Sequence, residues 1–161
     1  MNSKEIMKLL EEKNYIIRKE EHEPLMNMED AKIINKDGDV AKNLLLVDEE
    51  KKYYLISMKG DERVSLKTIA LLVGAKKLSF AKEEDMKKIL KVDAGSLTPL
   101  ALLNDKKKQV AFFLDDKFKN KIIAVHPLVN TCTVWMNSKD LIELLSNSDI
   151  RVNYICMEKV L

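Results

Sequence analysis

Three short segments of the sequence carry residue types that packing alone does not require. The first is the pair Lys42-Asn43, which places a cation and an amide directly before the apolar run of residues 44–47. The second is Gly95-Ser96-Leu97-Thr98-Pro99, where glycine permits unusual torsions and proline stiffens the exit, so backbone amides and carbonyls can point at a ligand. The third, His126-Pro127-Leu128-Val129-Asn130-Thr131, follows an apolar run and gathers several side-chain donors. A functional site is expected where residues depart in this way from the types that packing and local structure favour.

Each segment also has an ordinary structural explanation. A lysine at the end of a strand is usually solvated, and a segment with glycine and proline can be a plain loop. A lone histidine is more often a structural hydrogen-bonding group than a catalyst. His22, His126 and Cys132 match no metal-ligand spacing, and the sequence has no nucleophile elbow, Walker loop or dinucleotide fingerprint. No metal or cofactor is therefore expected.

A group of lysines gives a further indication. Between Asn104 and Lys121, six lysines face three aspartates, a local excess of three positive charges. A hairpin carrying these lysines could contact phosphate. It could equally be a solvated sheet edge that discourages pairing between sheets. The six are Lys106, Lys107, Lys108, Lys117, Lys119 and Lys121.

The elements that must position these segments follow from hydrophobic spacing and turn residues. A first helix is predicted from an N-cap at Ser3 to near Asn14, and a second from Asn27 through Ile34. A third begins at Ser65 and ends at Gly74, where a left-handed residue is expected. Two more helices are predicted over residues 81–90 and from Asn137 or Ser138 through residue 145.

Strands are predicted where β-branched and aromatic residues lie between turn signals. The predicted strands are residues 15–18, 44–47, 53–58, 110–114, 122–125, 131–136 and 150–157. Residues 48–51 give the turn of a hairpin, and Asp37-Gly38-Asp39 turns the chain. Helices and strands are interspersed, but the short links imply antiparallel pairs. The prediction is an α+β fold with a mixed, largely antiparallel, barrel-like sheet and flanking helices.

Composition bounds the class of protein. The 161 residues suit one domain over residues 1–161, and 28 basic against 26 acidic residues leave a net charge of +2. At 46% apolar and 34% charged residues, the chain is neither disordered nor a disulfide scaffold. No membrane span, secretory signal or transit peptide is visible, so the cytoplasm is the expected location. Cys132 and Cys156 lie far apart and are expected to be reduced core thiols.

Taken in order, the segments resemble the YbaK/ProX family of aminoacyl-tRNA deacylases. The resemblance rests on Lys42-Asn43-Leu44-Leu45-Leu46, the stretch from Leu66-Lys67 through Lys77-Leu78-Ser79-Phe80-Ala81, Gly95-Ser96-Leu97-Thr98-Pro99-Leu100, and His126-Pro127-Leu128-Val129-Asn130-Thr131. It runs over nearly the whole chain. No single motif is specific, but their order and spacing together are.

The resemblance implies a role for each segment. Lys42 is the essential site lysine, which contacts the substrate near the ester and the terminal adenosine. The loop from Gly95 to Pro99, with Ser96, positions the ester and the attacking water. His126 binds the terminal nucleotide or shapes the pocket, supported by residues of the same segments. Catalytic roles thus fall to Lys42, Gly95 and His126, and binding roles to Asn43, Ser96, Pro99, Asn130 and Thr131.

Such a site can act without a covalent nucleophile. An aminoacyl ester is already activated, so a placed water and an oxyanion held by backbone amides or a lysine can suffice. The resemblance adds assistance from the neighbouring ribose hydroxyl. Editing is needed because one methylene is worth only ~1–3 kcal/mol, and a second pocket that excludes proline by size completes the selection.

The resemblance also implies the partners. These are mischarged tRNA(Pro), held by its 3′ end and acceptor stem, and prolyl-tRNA synthetase as a further candidate. Lys42-Asn43 resembles the alanine-specific ProX branch more than the cysteine-specific YbaK branch, whereas Met26-Asn27-Met28 departs from a family segment that often carries threonine. Alanine is therefore expected, with cysteine or another small amino acid as the alternative. A non-catalytic module that binds a tRNA end or an amino acid is the alternative from another class. No membrane or DNA is expected, and a monomer is assumed.

Overall fold

The computed structural model describes residues 1–24, 37–60 and 63–157, and in them eight strands form two sheets. The strands are β1 Arg18–Glu21, β2 Ala41–Val47, β3 Tyr53–Lys59, β4 Ser79–Phe80, β5 Val110–Asp115, β6 Ile122–Val125, β7 Cys132–Asn137 and β8 Val152–Ile155. One sheet has the order β4-β2-β3-β5-β8, and the other has the order β1-β7-β6. A parallel bridge between Val40 and Ala124 joins the start of β2 to β6 of the second sheet.

The strand pairing confirms the predicted α+β class with a mixed, largely antiparallel sheet. All pairs are antiparallel except β3 with β5 and β5 with β8. Parallel neighbours need long crossovers, and helices occupy both of these connections. Within the described residues the two sheets meet along one side without closing into a barrel.

Four α-helices cover the sheets in the described part of the chain. They are α1 Ser3–Glu12, α2 Leu66–Val73, α3 Glu83–Leu90 and α4 Ser138–Ser146. Ser65 caps α2 through the Thr68 amide at 3.1 Å, and Gly74 ends it in the left-handed region at φ 78°, both as predicted. The longest of these helices has ten residues, about half of what a bilayer crossing needs.

The five-stranded sheet is covered on both faces. On β2 and β3, Leu45 and Leu55 pack into a large core that fills the space against β6, β7 and three helices. Leu46 and Ile56 point the other way, into a smaller core under α2. A sheet that is buried on both faces explains why residues 44–47 and 53–56 are apolar without alternation.

Several predicted boundaries were wrong. Asn2, and not Ser3, caps α1, because its Oδ1 accepts from the Glu5 amide at 2.9 Å while Glu5 accepts from the Asn2 amide at 3.2 Å. The strand predicted over residues 15–18 lies instead at Arg18–Glu21, whereas Tyr15 is buried and its hydroxyl donates to Glu143. The helix predicted over residues 81–90 starts at Glu83, and the last strand is shorter than predicted. The helix predicted from Asn27 lies outside the described residues.

The lysine-rich hairpin was also a wrong prediction. In the described residues β5 pairs with β3 and β8, whereas β6 pairs with β7, so these two strands form no hairpin and β5 is not an edge. The six lysines fall into two groups, residues 106–108 before β5 and residues 117–121 after it. The six residues of β5 hold the groups roughly 17 Å apart. They therefore form no single basic patch.

Both cysteines are free thiols. Cys132 is buried at the start of β7, as predicted. Cys156 is only partly buried, so the core position predicted for it is half correct.

Candidate active site

The fold brings two of the three polar segments directly against the third. The Asn43 Nδ2 in β2 donates to the Leu97 carbonyl at 3.1 Å, although the two residues lie 54 positions apart. On the other side of the loop at residues 95–99, the Asn130 Nδ2 lies 3.2 Å from where a Gly95 Cβ would stand. The loop thus contacts β2 through Leu97 and the connection that joins β6 to β7 through Gly95.

Asn43 lies inside β2, because this strand starts at Ala41 and not after the polar pair. Its cross-strand partner Ser57 is fully buried in β3, and the Ser57 hydroxyl donates to the Asn43 Oδ1. The amide is therefore bonded at both ends, to β3 through oxygen and to the loop through nitrogen. This arrangement makes Asn43 a residue that positions the loop.

The loop at residues 95–99 is rigidly built. Its first part is a 3-10 turn, Ala94–Ser96, in which the Ser96 amide donates to the Asp93 carbonyl at 3.0 Å. Its second part leads into a buried 3-10 helix, Pro99–Asn104, which Thr98 caps by accepting from the Leu100 amide at 3.3 Å. Because Ser96, Thr98 and Pro99 are all buried, the loop enters the core and does not follow the surface.

Gly95 is glycine for a different reason from the one expected. Its backbone is not among those with positive φ, so position 95 uses none of the torsions that only glycine reaches easily. The requirement is space, because a side chain at this position would press on the Asn130 amide at 3.2 Å. Residue 128 carries the unusual torsion instead, since Leu128 has φ 67° without being a glycine.

His126 is half-buried and held in one tautomer. Its Nδ1 lies 3.0 Å from the Cys132 carbonyl, which can only accept, so Nδ1 carries the hydrogen. Burial lowers the pKa of His126 despite the hydrogen bond to the Cys132 carbonyl, which raises it, and the nearby His22, with ring centroids 6.2 Å apart, lowers it further. The imidazole is therefore neutral at pH 7, with Nε2 left as a lone-pair acceptor.

A cavity of about 420 Å³ opens beside this segment. Its wall includes Pro127, Val129 and the exposed Thr131, whose carbonyl accepts from the His22 amide at 2.9 Å. Glu11 from α1 and Lys19 from β1 face each other across the wall at 4.0 Å. Sequence reasoning missed the contribution of α1 and β1, because their lining residues, among them Met7, Glu11 and Lys19, are ordinary helix and strand residues with no motif.

Lys42 lies next to Asn43 but leaves the strand from the opposite face. Its cross-strand partner is Met58, which packs in the smaller core under α2, whereas Asn43 pairs with Ser57 and faces the loop. No carboxylate of the described residues pairs with the Lys42 ammonium group. The chemical role of Lys42 stays a prediction.

No group of three metal-ligating side chains is found in the described part of the chain. The described part of the chain offers the weakly bonded Leu97 amide of the loop, the neutral His126 acceptor and, on the opposite face of β2, the Lys42 ammonium group. These are groups that bind a polar substrate and stabilise an oxyanion.

Comparisons with known proteins agree with this description. The sequence model of the aminoacyl-tRNA editing domain family matches residues 22–144. Over 125 residues the chain is 34% identical to the prolyl-tRNA editing protein ProX of Acetoanaerobium sticklandii, which covers 75% of this chain and 76% of that protein. It is 36% identical over 117 residues to prolyl-tRNA synthetase associated domain-containing protein 1 of Bos taurus, with 69% and 68% covered.

The fold has solved relatives as well. A crystal structure of a candidate trans-editing enzyme for prolyl-tRNA synthetase superimposes with a TM-score of 0.69 over 96% of both chains, at 17% identity. The chain belongs to the aminoacyl-tRNA editing domain family. Its activity is aminoacyl-tRNA deacylation, and the resemblance to the YbaK/ProX group is confirmed.

Proposed function

We propose that this protein is a trans-acting deacylase that releases alanine from mischarged proline tRNA. The observation that carries the proposal is the loop at residues 95–99, held between Asn43 and Asn130 at the two sides of one site. The similarity to ProX supports proline tRNA as the carrier of the ester. The cytoplasm as the place of action and docking on prolyl-tRNA synthetase are parts of the same proposal.

In this mechanism the loop supplies position and charge stabilisation. The Leu97 amide is one candidate donor. Its hydrogen bond to the Ala94 carbonyl is long at 3.5 Å, so little hydrogen-bond energy is lost when the amide donates to an oxyanion instead. Water attacks the ester carbonyl, the ribose oxygen leaves, and the neighbouring ribose hydroxyl assists the proton transfer. The neutral His126 Nε2 accepts a hydrogen bond from the terminal nucleotide.

Lys42 supplies the cation in this proposal. Because Lys42 is the second residue of β2, its side chain reaches around the start of the strand to the 3′-terminal nucleotide near the ester. No carboxylate of the described residues pairs with its charge. Removal of one such stabilising group typically lowers kcat by about 10²–10³-fold. Lys42→Ala should therefore nearly abolish turnover while the fold stays intact.

The test is release of labelled alanine from Ala-tRNA(Pro), with Pro-tRNA(Pro) and Cys-tRNA(Pro) as parallel substrates. Release of alanine but not proline, lost in Lys42→Ala and kept in Lys67→Ala on the exposed side of α2, supports the proposal. Preferential release of cysteine would mean that cysteine, and not alanine, is the amino acid that the enzyme removes. Near wild-type turnover by Lys42→Ala would contradict the assigned role.

A further inference from the structure

A buried serine outside the recognised motifs contacts the candidate site through Asn43. Ser57 lies in β3 directly opposite Asn43, is 0% exposed, and donates its hydroxyl hydrogen to the Asn43 Oδ1. Neither the family motifs nor the apolar pattern of β3 singles out this residue. A hydroxyl inside an otherwise apolar strand needs a partner, and here the partner is the amide that holds the loop.

The bond fixes the direction of the Asn43 amide. Its Nδ2 reaches the Leu97 carbonyl at 3.1 Å, so the oxygen must face β3, where Ser57 is the donor. Without that hydroxyl, the Oδ1 would lose its donor on the β3 side. The amide of the half-buried Asn43 would then be free to adopt other rotamers, and each of these weakens the bond to Leu97.

The Leu97 carbonyl in turn sets a backbone donor. The peptide between Leu97 and Thr98 is planar and trans, so its N–H points opposite to its carbonyl. A carbonyl held toward β2 therefore turns the Thr98 amide away from β2. The chain of contacts runs from Ser57 through Asn43 to the 97–98 peptide, and so fixes Leu97, whose own amide is the candidate oxyanion donor.

We propose that Ser57 is a positioning residue of the deacylation site, acting through Asn43 on the 97–98 peptide. This inference rests on the proposed function for its kinetic readout. It concerns kcat more than KM, because a preset peptide matters most when charge develops on the ester oxygen.

The test compares Ser57→Ala with Ser138→Ala. Ser138 is also fully buried, but its hydroxyl has no hydrogen-bond partner within the described residues, so the same change removes no contact there. Ser57→Ala should lower kcat on the mischarged tRNA by about tenfold with little change in KM, and Ser138→Ala should change neither. In an Asn43→Ala background, Ser57→Ala should cost nothing more, because the contact is already lost. Additive losses in the double variant would overturn the proposal.

Hydrogen–deuterium exchange gives a readout that is independent of turnover. Peptides that cover residues 94–99 should exchange faster in Ser57→Ala than in the wild-type protein, and at wild-type rates in Ser138→Ala. If the wild-type protein releases neither alanine nor cysteine, the proposed function fails while the exchange result still decides the positioning role. Unchanged exchange in Ser57→Ala would overturn it. Ser57→Cys, which keeps the side-chain volume with a weaker donor, should show the same defect if Ser57→Ala does not fold.

Discussion

At the scale of single residues, the contact between Gly95 and Asn130 couples two segments of the site. An added Cβ at Gly95 would stand 3.2 Å from the Asn130 Nδ2, closer than side chains normally pack. Gly95→Ala should therefore displace the Asn130 amide and lower deacylation to the level of Asn130→Ala. The overpacking should also cost roughly 1–3 kcal/mol of stability.

The double variant is the control for this prediction. Gly95→Ala combined with Asn130→Ala should be no less active than either single variant, since the displaced group is already gone, and should recover part of the melting temperature. Steady-state kinetics and thermal melts measure both. Independent, multiplying losses of activity would contradict the coupling.

His126 should make the folded protein sensitive to mild acid. Its folded-state pKa lies below the unfolded value of about 6.5 because of burial and the neighbouring His22. The unfolded chain then takes up the proton first, so stability is full above about pH 6.5 and falls as the pH drops toward the folded-state pKa.

His126→Asn isolates this effect, because the amide can still donate to the Cys132 carbonyl but does not titrate. Thermal melts at pH 7.5 and pH 5.5 should show a larger decrease in Tm for the wild-type protein than for the variant. Parallel decreases in the two proteins would mean that His126 does not cause the acid sensitivity.

Sequence reasoning found these residues more reliably than their roles. The sequence pointed to Asn43, Gly95 and Asn130, and in the structure Asn43 bonds the loop at Leu97 while Asn130 lies against it at Gly95. The sequence could not show that Gly95 is required by the nearby Asn130 side chain, since that contact depends on a connection more than 30 residues away. Ser57 was missed altogether, because one serine in an apolar strand gives no signal until its cross-strand partner is known.

At the scale of elements, the start of α1 separates two adjacent polar residues. Asn2 exchanges hydrogen bonds with Glu5, whereas Ser3 is the first helical residue. Asn2→Ala should lower the free energy of unfolding by about 1 kcal/mol, and Ser3→Ala should be nearly neutral. Urea unfolding of the two variants measures the difference. Equal losses, or a larger loss for Ser3→Ala, would place the cap at Ser3.

The predictability of each element follows from how much apolar surface it buries. The strands β3 and β6 were predicted closely because most of their side chains are buried, and α2 because of its capping serine and terminal glycine. β2 was predicted three residues too short, because Lys42 and Asn43 interrupt its apolar pattern. β1 was misplaced because all four of its residues are exposed, so its position depends on pairing with β7 alone. Caps were uncertain by one residue, since Asn2 and Ser3 are both good N-cap types.

At the scale of the whole molecule, the two groups of lysines at opposite ends of β5 should differ in function. The Lys59 amide bonds the Asp115 Oδ2 at 3.0 Å, so the far end of β5 lies beside the end of β3 that carries Ser57 and the site. Lys119 and Lys121 follow this end, whereas Lys106 and Lys107 precede the other. If the proposed function is correct, we expect the first group, and not the second, to contact the phosphates of the bound tRNA.

A paired substitution tests this arrangement. Lys119→Ala with Lys121→Ala should raise KM for the mischarged tRNA several-fold and reduce the salt dependence of binding by about one unit of slope per phosphate contact. Lys106→Ala with Lys107→Ala removes the same charge and should change neither. Equal effects of the two pairs would show that attraction depends on net charge only.

The order of the strands in the two sheets could not be predicted from the sequence. Short links correctly indicated antiparallel pairs, but nothing in the pattern showed that β5 lies between β3 and β8 or that β6 and β7 belong to a second sheet. The pairs on either side of β5 join residues 57 positions apart in Leu55 with Phe112 and 40 positions apart in Phe112 with Val152, and they depend on the collapse of the whole core.

The distance along the chain between Asn43 and Leu97 also has a kinetic consequence. Contacts between remote segments form late, because the entropy of closing the intervening chain is lost before such contacts stabilise the structure. A growing or refolding chain therefore contains the polar residues of the site well before it has a working loop. Deacylation should be among the last properties to return on refolding, so the recovery of activity reports when the sheet is complete.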